Sequence, residues 1–305
     1  MSLRSIVEVL GGDLYAGGCR ANIPAPGHSA ADRSVSLMLS KGRIIAHTFG
    51  DGDWRAILDH LRGHGLIDAA GAPTSASNGN ARAASAVSGA SGLQRLAAAR
   101  RIWEGGRALG RSLSERHCRL RHIERALPGK EIARHNGETP LSAYGDSHRR
   151  RPALLVAISD AQGAFTAVEV TYLAPNGRRA IDLRLPRKTV GSVPPGTAAR
   201  LDPAAREMLV GEGFFTTLSA TERFDLPGWA LMSTRNLRSW SAPAGVEFVL
   251  IAADRGKDGE ASAEILRRRL AVQGVRGEIA LPPAPHGDWN DVARAAKRCG
   301  RRGCR

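Results

Sequence analysis

Glu212 and Asp254 are the residues whose types and places hold the most chemistry in this chain. Glu212 follows Met208-Leu209-Val210-Gly211, and Asp254 follows Phe248-Val249-Leu250-Ile251-Ala252-Ala253. A short apolar run bounded by a turn reads as a buried strand. Open α/β sheets hold their ligands outside the carboxyl ends of the strands. Two strand-end carboxylates at such a place make a seat for a hard divalent cation, which takes oxygen ligands. A cation of that kind neutralises phosphate charge and aligns attack in phosphoryl and nucleotidyl transfer.

The elements that must position these acids follow from pattern. From about residue 206 onward strands and helices alternate, which predicts a βα sheet. Within it, Asp258 is expected to cap a helix over 259–272. A short last strand, Glu278–Leu281, is stopped by Pro282-Pro283, and a helix follows from Trp289 to Lys297. Upstream, residues 153–183 alternate like antiparallel strands, with turns at Asp160–Gly163 and Pro175-Asn176-Gly177. A helix is expected over 93–109, with Leu93, Leu96, Ile102, Trp103 and Leu109 on its apolar side. Ser112 and Glu115 form a capping box for a second, basic helix. Near the start, Val35–Leu39 and Arg43–His47 read as a hairpin. Asp53 then caps a helix whose stripe is Trp54, Ile57, Leu58 and Leu61. Residues 69–92 are small and polar without periodicity, the composition of a flexible linker. The expected division is a unit at 1–68, the linker at 69–92, a basic middle region at 93–205, a βα domain at 206–298 and a basic tail at 299–305. Cys299 and Cys304 lie in that tail.

Charge names the partner. Lys and Arg number 44 against 29 Asp and Glu, a net charge of +15. Such a surface attracts polyanions, and nucleic acid is the first expectation. Arg116, Arg119 and Arg121, with the run Arg149, Arg150 and Arg151, are the candidate contacts, because the guanidinium fork fits phosphate. Trp103, Trp229, Trp240 and Trp289 sit in apolar settings and are expected in the core. No apolar run reaches the roughly 18 residues of a membrane helix, so no membrane partner is expected. The four cysteines do not form a disulfide framework, and no signal pattern opens the chain, which suggests a reducing cytoplasm. A GxxxxGK[ST] loop does not occur, so ATPase chemistry of that type is not expected.

The acidic pattern resembles the toprim domain, the catalytic module shared by topoisomerases and bacterial-type primases. Its signature is a strand-end Glu and a later strand ending in Asp-x-Asp. Glu212 and Asp254 match, while the second Asp is replaced by Gly256. The segment GDWND at 287–291 resembles an acidic motif that follows the toprim core in phage and plasmid primase-like proteins. Residues 101–123 and 152–180 are similar to the middle region of those proteins. The stretch around Cys19 and His28 resembles the zinc-binding module of bacterial primases, but Thr48 and Gly52 stand where cysteines are expected. The resemblance implies an α/β fold: a C-terminal toprim-like βα sheet, preceded by an α+β primase-like region and a small N-terminal ribbon-like unit. It gives Glu212 an acid/base or metal-linked role and Asp254 a metal-binding one, with Asp258 and Asp288 as helpers in place of the missing acid. The implied cofactor is Mg²⁺ or Mn²⁺; zinc is not expected. The implied function is synthesis of short primers from nucleotides on single-stranded DNA in plasmid or phage replication, with a separate chain supplying any helicase. A non-catalytic DNA-binding accessory protein and a toprim nuclease are the other readings.

Overall fold

In the computed structural model, which describes residues 3–26, 33–48, 53–74, 92–144, 148–183 and 185–301, the chain forms two units, Met1–Gly89 and Ala90–Arg305. The first has helix α1 (Arg4–Leu10), strands β1 (Asp13–Tyr15), β2 (Arg20–Ile23), β3 (Val35–Ser40) and β4 (Arg43–Thr48), and helix α2 (Trp54–Gly63). The strands pair antiparallel in chain order. Period-two alternation puts Ala21, Ile23, Val35, Leu37, Ile44 and Ala46 on one face, and Leu3, Ile6, Ile57 and Leu61 cover it. Asp53 does cap α2, accepting the Arg55 N–H at 2.9 Å. Trp54 departs from the expected stripe: it is 46% exposed, with the Arg55 guanidinium over its ring. As the first helical residue it lies ahead of the turn that faces the sheet.

The first unit also runs past residue 68. Ile44 donates to the Gly71 carbonyl at 2.8 Å, and Ile67 bridges Pro73. Residues 69–74 are therefore held by backbone hydrogen bonds that composition does not reveal. His28, Gly52 and linker residues 75–91 lie outside the described residues.

The second unit begins with α3 (Gly92–Glu104) and α4 (Leu113–Leu120), followed by strands β5 (Ala133–Pro140), β6 (Arg150–Ser159), β7 (Phe165–Tyr172) and β8 (Arg187–Gly191). These four strands make an antiparallel sheet in chain order. Val168, Val170 and Tyr172 pack with Ala98, Ala99 and Ile102 of α3. Helix α3 stops five residues short of expectation, because Gly105 and Gly106 let the chain turn closely past β5; a Cβ at Gly106 would lie 2.8 Å from that of Arg134. Leu93 is 81% exposed, and Leu109 is buried beyond the helix. Helix α4 begins as expected, with Ser112 accepting the Glu115 N–H at 3.2 Å.

The chain continues through β9 (Ala199–Arg200), β10 (Glu207–Gly211), α5 (Phe214–Phe224), β11 (Gly228–Ala230), α6 (Thr234–Ser239), β12 (Phe248–Ala252), α7 (Lys257–Val272), β13 (Arg276–Ala280) and α8 (Trp289–Arg301). The second sheet has the order β13-β12-β10-β11-β9. Its first four strands are parallel, and β9 is antiparallel at the edge. Strand β9, placed by sequence in the middle region, thus belongs to the C-terminal sheet. A bridge between Ser159 and Ala198 joins the two sheets. Trp229, Trp240 and Trp289 are buried, at 6%, 1% and 5% exposure, as their apolar settings predict. Helix α8 runs past Lys297 to Arg301, so residues 299–301 of the expected tail are helical; 302–305 lie outside the described residues.

Candidate active site

Strands β10 and β12 are direct neighbours, with Gly211 opposite Ala252. The chain therefore leaves both strands at the same height, and adjacent strands are about 4.8 Å apart. Glu212 is one residue beyond its strand and Asp254 two beyond. The backbone of Thr234, at the start of α6, favours the charged form of Glu212. Thr216, in the first turn of α5, does the same for Asp254. Asp254 Oδ1 is buried without a hydrogen-bond partner among the described residues. Burial, and then the charges of Glu212 and Asp288, push the Asp254 carboxyl up to about 7. Glu212 is raised as well, by burial first and then by Asp258. Asp288 precedes α8 and caps it, its Oδ1 accepting the Asp291 N–H at 2.7 Å.

Glu212, Asp254 and Asp288 line a cavity of about 580 Å³. The middle region also contributes to its wall: His117 and Arg121 of α4 and its C-terminus, Glu169 and Thr171 of β7, Arg178 and Arg179 after the 175–177 turn, and Arg187 of β8. Arg294 of α8 completes the basic lining. The Arg121 guanidinium lies 4.9 Å from the Phe215 ring centre. Burial lowers its pKa, and Asp288 opposes that shift. Acids and guanidinium groups lining one cavity suit a ligand bearing phosphates together with a cation.

The donor set fits a hard cation. It consists of oxygens, and it includes a buried carboxylate oxygen with no partner among the described residues. Among the described residues, no three His, Cys, Asp or Glu side chains already close on one point. A cation here would use one or two carboxylates and keep several waters, which is how Mg²⁺ is usually held.

Other expected site residues stand elsewhere. Asp258 is not the cap of α7; Gly256 takes that place, with φ +128 and ψ 159. That backbone region is essentially reserved for glycine, so the missing second Asp has no unstrained place in this turn. Asp258 lies in the first turn, 63% exposed, and pairs with Arg238. It lies outside the cavity lining and acts on Glu212 only through charge. Among the expected arginines, Arg121 alone lines the cavity. Arg119 donates to the Ile123 carbonyl at 2.7 Å, closing its own helix. Arg150 reaches the Glu138 carbonyl at 3.3 Å, and Arg151 pairs with the cavity residue Asp182 at 2.7 Å. Arg116 and Arg149 are exposed. Sequence reasoning missed Glu169, Arg178, Arg179, Arg187 and Arg294. The Asn176-Gly177 turn is the one signal for two of them, since it presents Arg178 and Arg179 together.

Asn290 of the GDWND segment ties the end of α4 to α5. It is fully buried, and its amide donates to the Arg121 carbonyl at 2.7 Å and to Ser219 Oγ at 3.0 Å. Asn290→Ala should cost about 1–3 kcal/mol, because the part-buried Arg121 carbonyl loses its donor. Denaturant unfolding would measure the loss, and wild-type stability in the variant would refute it.

Residues 207–298 match the model of the toprim domain, and residues 94–201 match that of a domain of unknown function (DUF7146). The C-terminal sheet with its strand-end acids is thus a toprim domain, and the protein is a toprim-domain protein of mixed α/β fold. Solved structures similar to it are of primases. The primase fragment of the bacteriophage T7 primase-helicase is 16% identical over 48% of this chain and 59% of its own, with a TM-score of 0.36. A primase domain from Pseudomonas aeruginosa is 16% identical over 50% of each chain, TM-score 0.34. The Aquifex aeolicus primase, with its zinc-binding and RNA polymerase domains, is 13% identical over 97% of this chain and 81% of its own, TM-score 0.42. The chain thus spans between half and three-fifths of the first two. No curated protein matches the chain significantly. Among the described residues, no helix is long and apolar enough to cross a membrane.

Proposed function

We propose that the protein is a primase-like nucleotidyltransferase that makes short primers on single-stranded DNA. The reading rests on one observation: Glu212, Asp254 and Asp288 line one cavity together with Arg121, Arg178, Arg179, Arg187 and Arg294. Glu212 and Asp254, with Asp288 beside them, would hold Mg²⁺ or Mn²⁺. The ion would supply charge neutralisation at the phosphates and alignment of the attacking oxygen. Arg121, Arg178, Arg179 and Arg294 would bind and orient a triphosphate. Glu212, its carboxyl raised by burial, suits the acceptor of the attacking hydroxyl's proton. Arg116, Arg119 and the 149–151 run would guide template outside the cavity, and the net charge of +15 favours that partner. Segments 93–205 and 206–298 would serve as the template-handling and catalytic modules. The setting would be plasmid or phage replication in the cytoplasm, beside a separate helicase chain.

The test is primer synthesis on single-stranded DNA with labelled nucleotides, in Mg²⁺, in Mn²⁺ and in chelator. Metal-dependent short products, lost in Glu212→Gln, are the expected result. Shortened template would make the protein a nuclease instead. Bound but unchanged DNA would make it an accessory factor, the outcome that Gly256 favours.

A further inference from the structure

The acids of the cation seat and the phosphate-binding arginines leave part of the cavity wall unused. Glu169 and Thr171 alternate on β7, so both side chains leave the sheet on the face opposite Val168 and Val170. Thr171 pairs with Arg187 across β7 and β8, and directly opposed residues share a face. All three line the cavity. The Glu169 side chain is 12% exposed, and Thr171 is 5% exposed. Among the described residues, neither the Glu169 carboxylate nor the Thr171 hydroxyl takes part in a hydrogen bond. The Arg187 Nε atom stands 4.0 Å from Glu169 Oε2, too far for a hydrogen bond. The Arg187 charge also acts on Glu212, so this group borders the cation seat. His117 Nδ1 lies 2.8 Å from the Gly177 carbonyl. A carbonyl only accepts, so Nδ1 carries the proton and Nε2 is left as a further acceptor.

Unpartnered acceptors in a cavity that takes a nucleotide meet its donors. A carboxylate repels phosphates, so Glu169 is not one of their contacts. The N–H groups of the base edge are committed to the template when synthesis is template-directed. The sugar hydroxyls remain, and each of them both donates and accepts. A carboxylate has two oxygens, enough for two neighbouring hydroxyls, and a guanidinium beside it offers donors to the oxygens of those hydroxyls. In dinucleotide-binding sites a carboxylate holds the ribose 2′-hydroxyl in this way.

We infer that Glu169 reads the sugar of the incoming nucleotide, its carboxylate accepting from the 2′- and 3′-hydroxyls while Arg187 and Thr171 complete their hydrogen bonds. The inference rests on the nucleotidyl-transfer reading, since the cation seat and the other arginines would hold the phosphates in the same cavity. The base edge stays free for the template, so the selection is the same whichever base is added. Burial raises the Glu169 carboxyl and Arg187 opposes that shift. Hydroxyl donors would add to the side of the ionised form.

The test is equilibrium binding of nucleoside triphosphates and their deoxy analogues to the full chain in Mg²⁺. ATP should bind about ten- to a hundredfold more tightly than 2′-deoxyATP, the usual worth of hydrogen bonds to a charged group. The 3′-deoxy analogue should lose a similar factor. GTP, CTP and UTP should show the same ratio against their 2′-deoxy forms, a comparison that needs no variant. Glu169→Met keeps the length of the side chain and removes its acceptors. Checked for an unchanged melting profile, it should weaken ATP and bring it level with 2′-deoxyATP. Equal binding of ATP and both deoxy analogues to the wild type would overturn the inference. So would a Glu169→Met variant that weakens ATP and 2′-deoxyATP by the same factor, the mark of a residue that only supports the wall. If no nucleotide binds at all, the nucleotidyl-transfer reading itself fails.

Discussion

Asp254→Asn should abolish metal-dependent product and, at the same time, make the protein more stable. The loss follows from the seat. A bound ion contributes several kcal/mol of transition-state stabilisation, and each 1.36 kcal/mol is tenfold in rate, so a drop of about a thousandfold or more is expected. The gain follows from burial. Asp254 Oδ1 has no hydrogen-bond partner among the described residues, and Glu212 and Asp288 repel its charge. Its folded-state pKa of about 7 lies above the ordinary 3.8. Between those values the folded protein binds more protons than the unfolded chain, so wild-type stability falls as pH rises through that window. The Asn variant does not titrate at this position. Its melting temperature should pull ahead of wild type from about pH 4 to about pH 7 and stay ahead above it. In a unit of this size the lead would be about 2–4 °C per kcal/mol of relieved repulsion. Calorimetry in chelator measures the lead, and added Mg²⁺ should narrow it by raising wild type alone. Equal melting at pH 8 in chelator would show that the carboxylate is not strained by its charge.

Gly259→Ala is the second large effect. Helix α7 starts directly over the strand end that bears Asp254. A Cβ at residue 259 would lie 2.4 Å from the Asp254 carbonyl oxygen and 3.5 Å from its Cβ. Because backbone is struck, the strand end must shift and take the carboxylate with it. A displacement of about 1 Å at a reacting centre can cost a hundredfold in rate. The stability cost should be smaller. Overpacking costs about 1–3 kcal/mol, and Ala returns up to about 1 kcal/mol of helix propensity. Activity well below the melting temperature, set beside the melting temperature itself, separates the two. A variant with wild-type rate would mean that the α7 turn yields without moving Asp254. Gly256 makes a useful contrast: a Cβ there meets nothing within 4 Å, so its substitution strains the backbone without striking Asp254.

Both strand-end acids were legible because local pattern specifies them: apolar run, acid, then helix. Their adjacency was not, since it depends on β12 pairing with β10 rather than β11. Asp258 misled because helix-capping rules favour Asp at an N-cap, whereas the glycine two residues earlier took that place. Its partner Arg238 lies on another helix, beyond the reach of local pattern. The arginines of α4 show the same limit. Composition marks the helix as basic, but which arginine faces the cavity depends on how α4 packs against β6 and α5. Only Arg121 does, with its guanidinium held over Phe215. Strand β9 escaped notice because two residues, Ala199 and Arg200, carry no readable alternation. Glu169 and Arg187 lie on paired strands, β7 and β8, and meet only when the antiparallel register is known.

Asp288, Asn290 and Arg294 all come from α8 or the turn before it, the last described element of the chain. One helix and its turn thus bring an acid and a guanidinium to the cavity and tie Asn290 to the Arg121 carbonyl. Loosening α8 alone, with both sheets intact, would remove all three at once, so this helix works as a latch on the site.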